Sequence, residues 1–202
     1  MPDAPRLPLL PLALFAAAFG LEECTVVVYL RHLAFPHGYP AAADGLMAHV
    51  ASLEVYRLEI AREASTIVTL AVLAWLSGRS ARLRWRAFLY AFGLWDIVYY
   101  AGLWAITGYP TPLQNDVLFL IPVPWVAPVW AALAFAASFV ALGVLGFDSG
   151  RAWLFAGGLL MGFASFVAAN VDGGVGYPLW LFVPAIALVL AALPVQGGAR
   201  SA

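Results

Sequence analysis

The sequence predicts an all-α fold: a polytopic membrane helical bundle of about six transmembrane helices, with the N- and C-termini cytoplasmic. Three observations carry that prediction. The 202 residues are 64% hydrophobic and only 10% charged, with a mean hydropathy of +0.90, which is more apolar surface than a soluble domain of this length can bury. Six apolar stretches each approach the roughly 20 residues needed to cross about 30 Å of hydrocarbon. The charges are also sorted along the chain. Arg6, Arg79, Arg82, Arg84, Arg86, Arg151 and Arg200 fall on one predicted side with only Asp3 and Asp148, leaving Arg31, Arg57 and Arg62 to face nine carboxylates elsewhere. Arginine on the cytoplasmic side is the usual orientation signal, and it reads residues 1–202 as a single integral domain of a bacterial inner (cytoplasmic) membrane.

The spans follow in order, at about 8–30, 54–77, 87–107, 117–146, 152–171 and 177–194. The first passes Ala16-Ala17-Ala18, yet apolar sequence resumes beyond Glu22 and Glu23, so it reads as a retained signal-anchor and not a cleaved signal peptide. The second reads as helical from Gly45, with Asp44 as its N-cap. The loop from Gly78 to Arg86 carries four arginines and sets the orientation before the third span. The fourth opens on Pro122, Pro124 and Pro128, which remove helical N–H donors; the favoured reading is an outer loop descending into a kinked helix, with a broken or re-entrant segment as the alternative. The fifth presents Gly158 and Gly162 as a small-residue packing face, for a partner in this chain, in a homo-oligomer or in a larger membrane complex. Outer loops are expected at 31–53, 108–116 and 172–176, with Trp75, Trp85, Trp104, Tyr109, Trp153, Tyr177 and Trp180 as anchors at the lipid headgroup level.

Nine acids within or near hydrocarbon are more than topology requires, and they point to a site. In the second span His49, Ser52, Tyr56, Glu59, Glu63 and Thr66 recur at spacings of three and four, which places them on one helical stripe. Glu59 and Glu63, one turn apart, demand a proton, a metal or a cationic partner, and Arg62 is the nearest cation. Glu54 and Arg57 lie on the opposite side and are expected to pair with each other. Glu22 or Glu23 reaches the same level from the first span, and Asp96 from the third, where Tyr99 and Tyr100 one turn above are able to donate hydrogen bonds to it. Asp116, Asn170 and Asp172 are expected at the rim. The competing structural reading has these acids locking helices through ion pairs, but three arginines are few for that purpose.

A divalent metal held by Glu59, Glu63 and His49 is the alternative occupant, since oxygen and imidazole ligands suit such ions. No paired-histidine metal motif accompanies it, and His32 and His37 fall on an outer loop. The lone Cys24 excludes an internal disulfide or a thiolate cage. No haem, flavin or nucleotide site is expected: Gly173-Gly174-Val175-Gly176 lacks the basic and hydroxyl residues of a phosphate-binding loop. The arginine cluster at 79–86 is explained by topology, which leaves no case for nucleic acid, and the lipid bilayer is the only firm partner.

Arg62-Glu63-Ala64-Ser65-Thr66, then Phe92 to Tyr100 with its Trp95-Asp96 pair, then Asp116 to Trp125 with Phe119-Leu120-Ile121-Pro122-Val123-Pro124-Trp125, resemble an uncharacterised group of bacterial multi-span inner-membrane proteins. The resemblance covers about residues 54–130 and implies membrane residence without an activity. The function expected from the residues is binding of protons or a cation, for transport or permeation, at an outward-facing site of Glu59, Glu63, Glu22, Glu23, Asp96, Arg62 and Tyr100. The alternatives are a metal-dependent membrane enzyme acting on a lipid-like substrate and an accessory subunit of a membrane complex.

Overall fold

The computed structural model describes residues 7–38, 53–171 and 176–194. It contains α1 (Leu9–Ala34), α2 (Leu53–Ser77), α3 (Ala81–Thr107), β1 (Asn115–Phe119), β2 (Trp125–Pro128), α4 (Val129–Leu145), a 3-10 turn (Ser149–Arg151), α5 (Ala152–Val171) and α6 (Leu179–Ala191). Among the described residues four helical stretches are long and apolar enough to cross a membrane: Leu9–Leu33, Val55–Ser77, Ala81–Thr107 and Ser149–Ala169. The apolar helices α4 and α6 are shorter, at 17 and 13 residues, or about 26 and 20 Å. The helical bundle of a membrane protein is therefore the fold. Asp44, His49 and Ser52, and with them the expected early start of the second helix, lie outside the described residues.

The central element is α3, which packs against α1, α2 and α4, while α5 and α6 pair with each other. Its start is fixed by Ser80, whose hydroxyl accepts the Leu83 N–H at 3.3 Å, and its end by Gly108 at φ +71°, a left-handed conformation that favours glycine. Glycine also decides how closely α5 and α6 approach. A Cβ on Gly158 would lie 2.7 Å from the Ala185 carbonyl oxygen and 2.7 Å from Val189 Cγ2. Gly162 faces the Phe135 ring of α4 in the same way, so both glycines of the predicted packing face are used within this chain. Gly158→Leu is expected to cost about 1–3 kcal/mol by overpacking, read as an earlier unfolding midpoint in mixed micelles.

The arginines that the sequence offers as orientation signals have a second task here. Arg86 donates to the carbonyls of Gly143 (3.0 Å) and Val144 (2.6 Å) at the end of α4, and Arg151 to Ala191 (3.1 Å) at the end of α6. Arg82 reaches Phe147 O at 2.9 Å, and Arg84 reaches Gly78 O at 2.9 Å while lying 3.5 Å over the Trp75 ring. Cations there satisfy orphan carbonyls and oppose the negative ends of the helix dipoles. These contacts gather the ends of α2, α4 and α6 and the starts of α3 and α5 at one end of the bundle.

The fourth predicted span needs correction. Residues 117–128 are not the first turns of a kinked helix but part of a β-hairpin, and α4 begins only at Val129. Its strands are antiparallel, with Asp116 opposite Ala127 and Val117 opposite Val126, and an irregularity between Val117 and Phe119. Pro122 and Pro124 sit in the connection, where no ladder N–H is required. The first two amides of α4, Val129 and Trp130, donate to Gln114 O and Pro112 O at 3.0 and 2.9 Å. The hairpin is wedged between helices: Phe119 stacks on Phe92 of α3, and Trp125 meets Phe163 and Phe166 of α5 at 5.0 and 6.0 Å.

Candidate functional site

Two helices, α1 and α2, meet at one arginine. Arg62 of α2 reaches Glu59 one turn earlier, with Nη2 2.8 Å and Nε 3.1 Å from Oε2. Through Nη1 it also reaches Glu23 of α1. The other Glu23 oxygen accepts from the Thr66 hydroxyl at 3.0 Å. Glu63, on the same stripe, turns instead toward the hairpin, where its Oε2 accepts the Leu120 N–H at 2.8 Å. That amide lies where the bulged ladder ends, so the carboxylate supplies the partner that the strand pairing does not. Glu23, Arg62, Glu63 and Thr66, with Trp95, Asp96 and Tyr99 of α3, surround a chamber of about 20 Å³, enough for one water-sized species.

Asp96 stands apart from this network. Among the described residues it makes no hydrogen bond and no ion pair, although it lines the same chamber. Its other side faces a second cavity of about 410 Å³ between α3, the hairpin, α4 and α5, walled by aromatic and aliphatic side chains. An unpaired charge at such depth is costly, so the group demands neutralisation by a proton or by a cation. Tyr99 stacks on Trp95 at 5.9 Å. Tyr100 is buried beside Cys24, Leu103 and Val129. Neither phenol donates to Asp96, contrary to the expectation from their spacing.

A second ion pair lies outside the chamber. Arg31 Nη2 is 2.8 Å from both oxygens of Asp116, and the two side chains are 5% and 0% exposed. The guanidinium also sits 5.3 Å from the Tyr109 ring centroid, a favourable cation–π placement. This pair ties the end of α1 to the first strand of the hairpin.

Of the predicted site residues, Glu23, Glu59, Arg62 and Glu63 come together, and Asp96 borders them. Glu22 does not join: it is exposed on the other side of α1, as the 100° turn between neighbouring helical residues requires. Asp116 is a correction, because it is buried and paired where a rim position was expected. The sequence places the end of the first span at residue 30 and Arg31 in a loop, whereas the helix runs to Ala34 and carries Arg31 in its last turn. The signal that could have found the pairing is Asp116 itself, an acid beside an apolar proline-rich segment that can enter the bundle only with a cation. The side chains of Glu54, Asn170 and Asp172 lie outside those described, so their expected pairing and rim positions gain no geometry. Among the described residues no three His, Cys, Asp or Glu side chains gather to hold a metal, and His49 is outside them. No family model, curated protein or solved structure matches the chain.

Proposed function

We propose that this is a bacterial inner-membrane protein of six spans, with both termini cytoplasmic, that binds a proton in its outer-half acidic chamber and uses it in transport or permeation. The single observation that supports the reading is Asp96, a carboxyl group that makes no hydrogen bond and no ion pair among the described residues, beside a chamber of one-water size. Glu23, Glu63 and Asp96 line that chamber with Arg62, and Glu59 pairs with the same guanidinium. The ordering of the other three narrows the choice of carrier. Glu23 and Glu59 are engaged by Arg62, and Glu63 by the hairpin, which suits them to locking and leaves Asp96 as the group free to exchange its partner. A proton is favoured over a metal because the remaining carboxylates are already committed to other donors.

The test is flux in proteoliposomes with a pH-sensitive dye inside. Wild-type protein is expected to carry protons down an imposed gradient, and Asp96→Asn to slow that flux by about tenfold or more. Asn is nearly isosteric and Asp96 has no partner to lose, so the unfolding midpoint should stay unchanged. Wild-type flux in Asp96→Asn would remove the residue from the role.

A further inference from the structure

The larger cavity has a composition that specifies its occupant. Of its fourteen lining residues only Asp96 bears a charge, and seven are aromatic, among them Phe92, Phe119, Trp125, Phe139 and Phe163. Its volume of about 410 Å³ falls in the range of sites that take a small organic molecule, roughly 300–1,000 Å³. One wall includes Leu160, which is 69% exposed on α5, so the cavity reaches the outer, lipid-facing surface of the helix. A molecule arriving from that side must be lipophilic. Within the cavity it meets a carboxyl group that forms no ion pair among the described residues, and aromatic faces, which attract positive charge.

We propose that this cavity binds a lipophilic organic cation, its hydrophobic body among the aromatic rings of α3, α4, α5 and the hairpin and its positive centre against Asp96. A neutral lipophile leaves the carboxyl unmatched, and a zwitterionic lipid brings a phosphate for which the cavity offers no cation. A bare metal ion gains nothing from the apolar walls. The inference deepens the proton-site reading and rests on it in one respect. Because Asp96 borders both spaces, cation and proton compete for one carboxylate, and each cation that binds releases one proton to the chamber.

Tetraphenylphosphonium and tetraphenylborate, matched in shape and opposite in charge, make the test. With the full-length protein in nanodiscs, labelled tetraphenylphosphonium is expected to bind saturably, with release of one proton per cation in weak buffer. In a separate sample, because the two ions precipitate each other as a salt, labelled tetraphenylborate is expected to show no saturable binding to the protein. Asp96→Asn should weaken binding by about tenfold or more, and Leu159→Trp, which fills the cavity from α5, by a comparable factor. Saturable binding of tetraphenylborate as tight as that of tetraphenylphosphonium, or wild-type tetraphenylphosphonium affinity in Asp96→Asn, overturns the inference. Asp96-dependent binding without proton release upholds the cation site and overturns the proton reading. Asp96-dependent proton flux combined with Asp96-independent tetraphenylphosphonium binding does the reverse.

Discussion

Arg31→Leu is expected to destabilise the protein by about 3–5 kcal/mol, the usual cost of leaving one member of a buried ion pair without its partner. Asp116 is 0% exposed and has Arg31 on both oxygens, so no solvent is at hand to replace the guanidinium. Asp116→Leu should cost a similar amount by stranding the cation. The double variant, Arg31→Leu with Asp116→Leu, is expected to recover most of the loss, because two apolar side chains of fitting size remove the desolvation penalty together with the attraction. The measurement is an unfolding titration in mixed micelles of the four proteins. Equal and additive losses would show that the two side chains act separately. The hairpin is the element at stake: its first strand is held to α1 by this pair, and Phe119 and Trp125, which follow on the two strands, form walls of the large cavity. Loss of the pair should therefore weaken tetraphenylphosphonium binding as well, even though neither residue lines that cavity.

What the sequence could disclose depended on whether a residue's role was local or relational. Helical spacing puts Glu59, Glu63 and Thr66 on one stripe of α2 with Arg62 as the nearest cation, and these residues meet in the structure, because a stripe follows from the helix period alone; His49 and Ser52 of the same stripe lie outside the described residues. Neighbouring helical residues diverge by about 100°, so only one of Glu22 and Glu23 can turn toward α2, and which one does depends on how α1 rotates against α2, which no local pattern fixes. The proline-rich segment shows the converse. Pro122, Pro124 and Pro128 stated clearly that an ordinary helix does not form there, yet the hairpin depends on Val117 meeting Val126 and on Glu63 accepting the Leu120 amide, contacts made across the bundle. Hydropathy reads such a segment as a span because it counts apolar side chains and is blind to where the backbone hydrogen bonds go. The aromatic cavity was invisible for the same reason: its wall residues come from four elements, and each looks like ordinary core in its own helix.

Arg62→Leu is the second large effect, expected at about 2–4 kcal/mol, somewhat below the Arg31 figure because solvent reaches part of the site. The Arg62 side chain is 22% exposed, with Glu23 at 9% and Glu59 at 13%. Removing the guanidinium leaves Glu23, Glu59 and Glu63 near one another with the Thr66 hydroxyl and the hairpin amides as the remaining donors among the described residues. The variants should therefore rank in a set order. Glu59→Gln should cost least, under about 1 kcal/mol, because its contact with Arg62 lies within one helix and Glu23 still neutralises the cation. Glu23→Gln should cost more, since it breaks the link between α1 and α2 and weakens the Thr66 bond. Arg62→Lys should fall between Glu23→Gln and Arg62→Leu, because one ammonium keeps the charge but not the fork that spans two carboxylates. A flat ranking in mixed-micelle unfolding would show that the network does not lock the helices. If the ranking holds, it separates two tasks that composition alone had merged: Glu23, Glu59 and Arg62 carry stability, while Asp96→Asn changes flux and cation binding at unchanged stability. An acid whose removal costs no stability yet abolishes exchange is bound by its function and not by the fold.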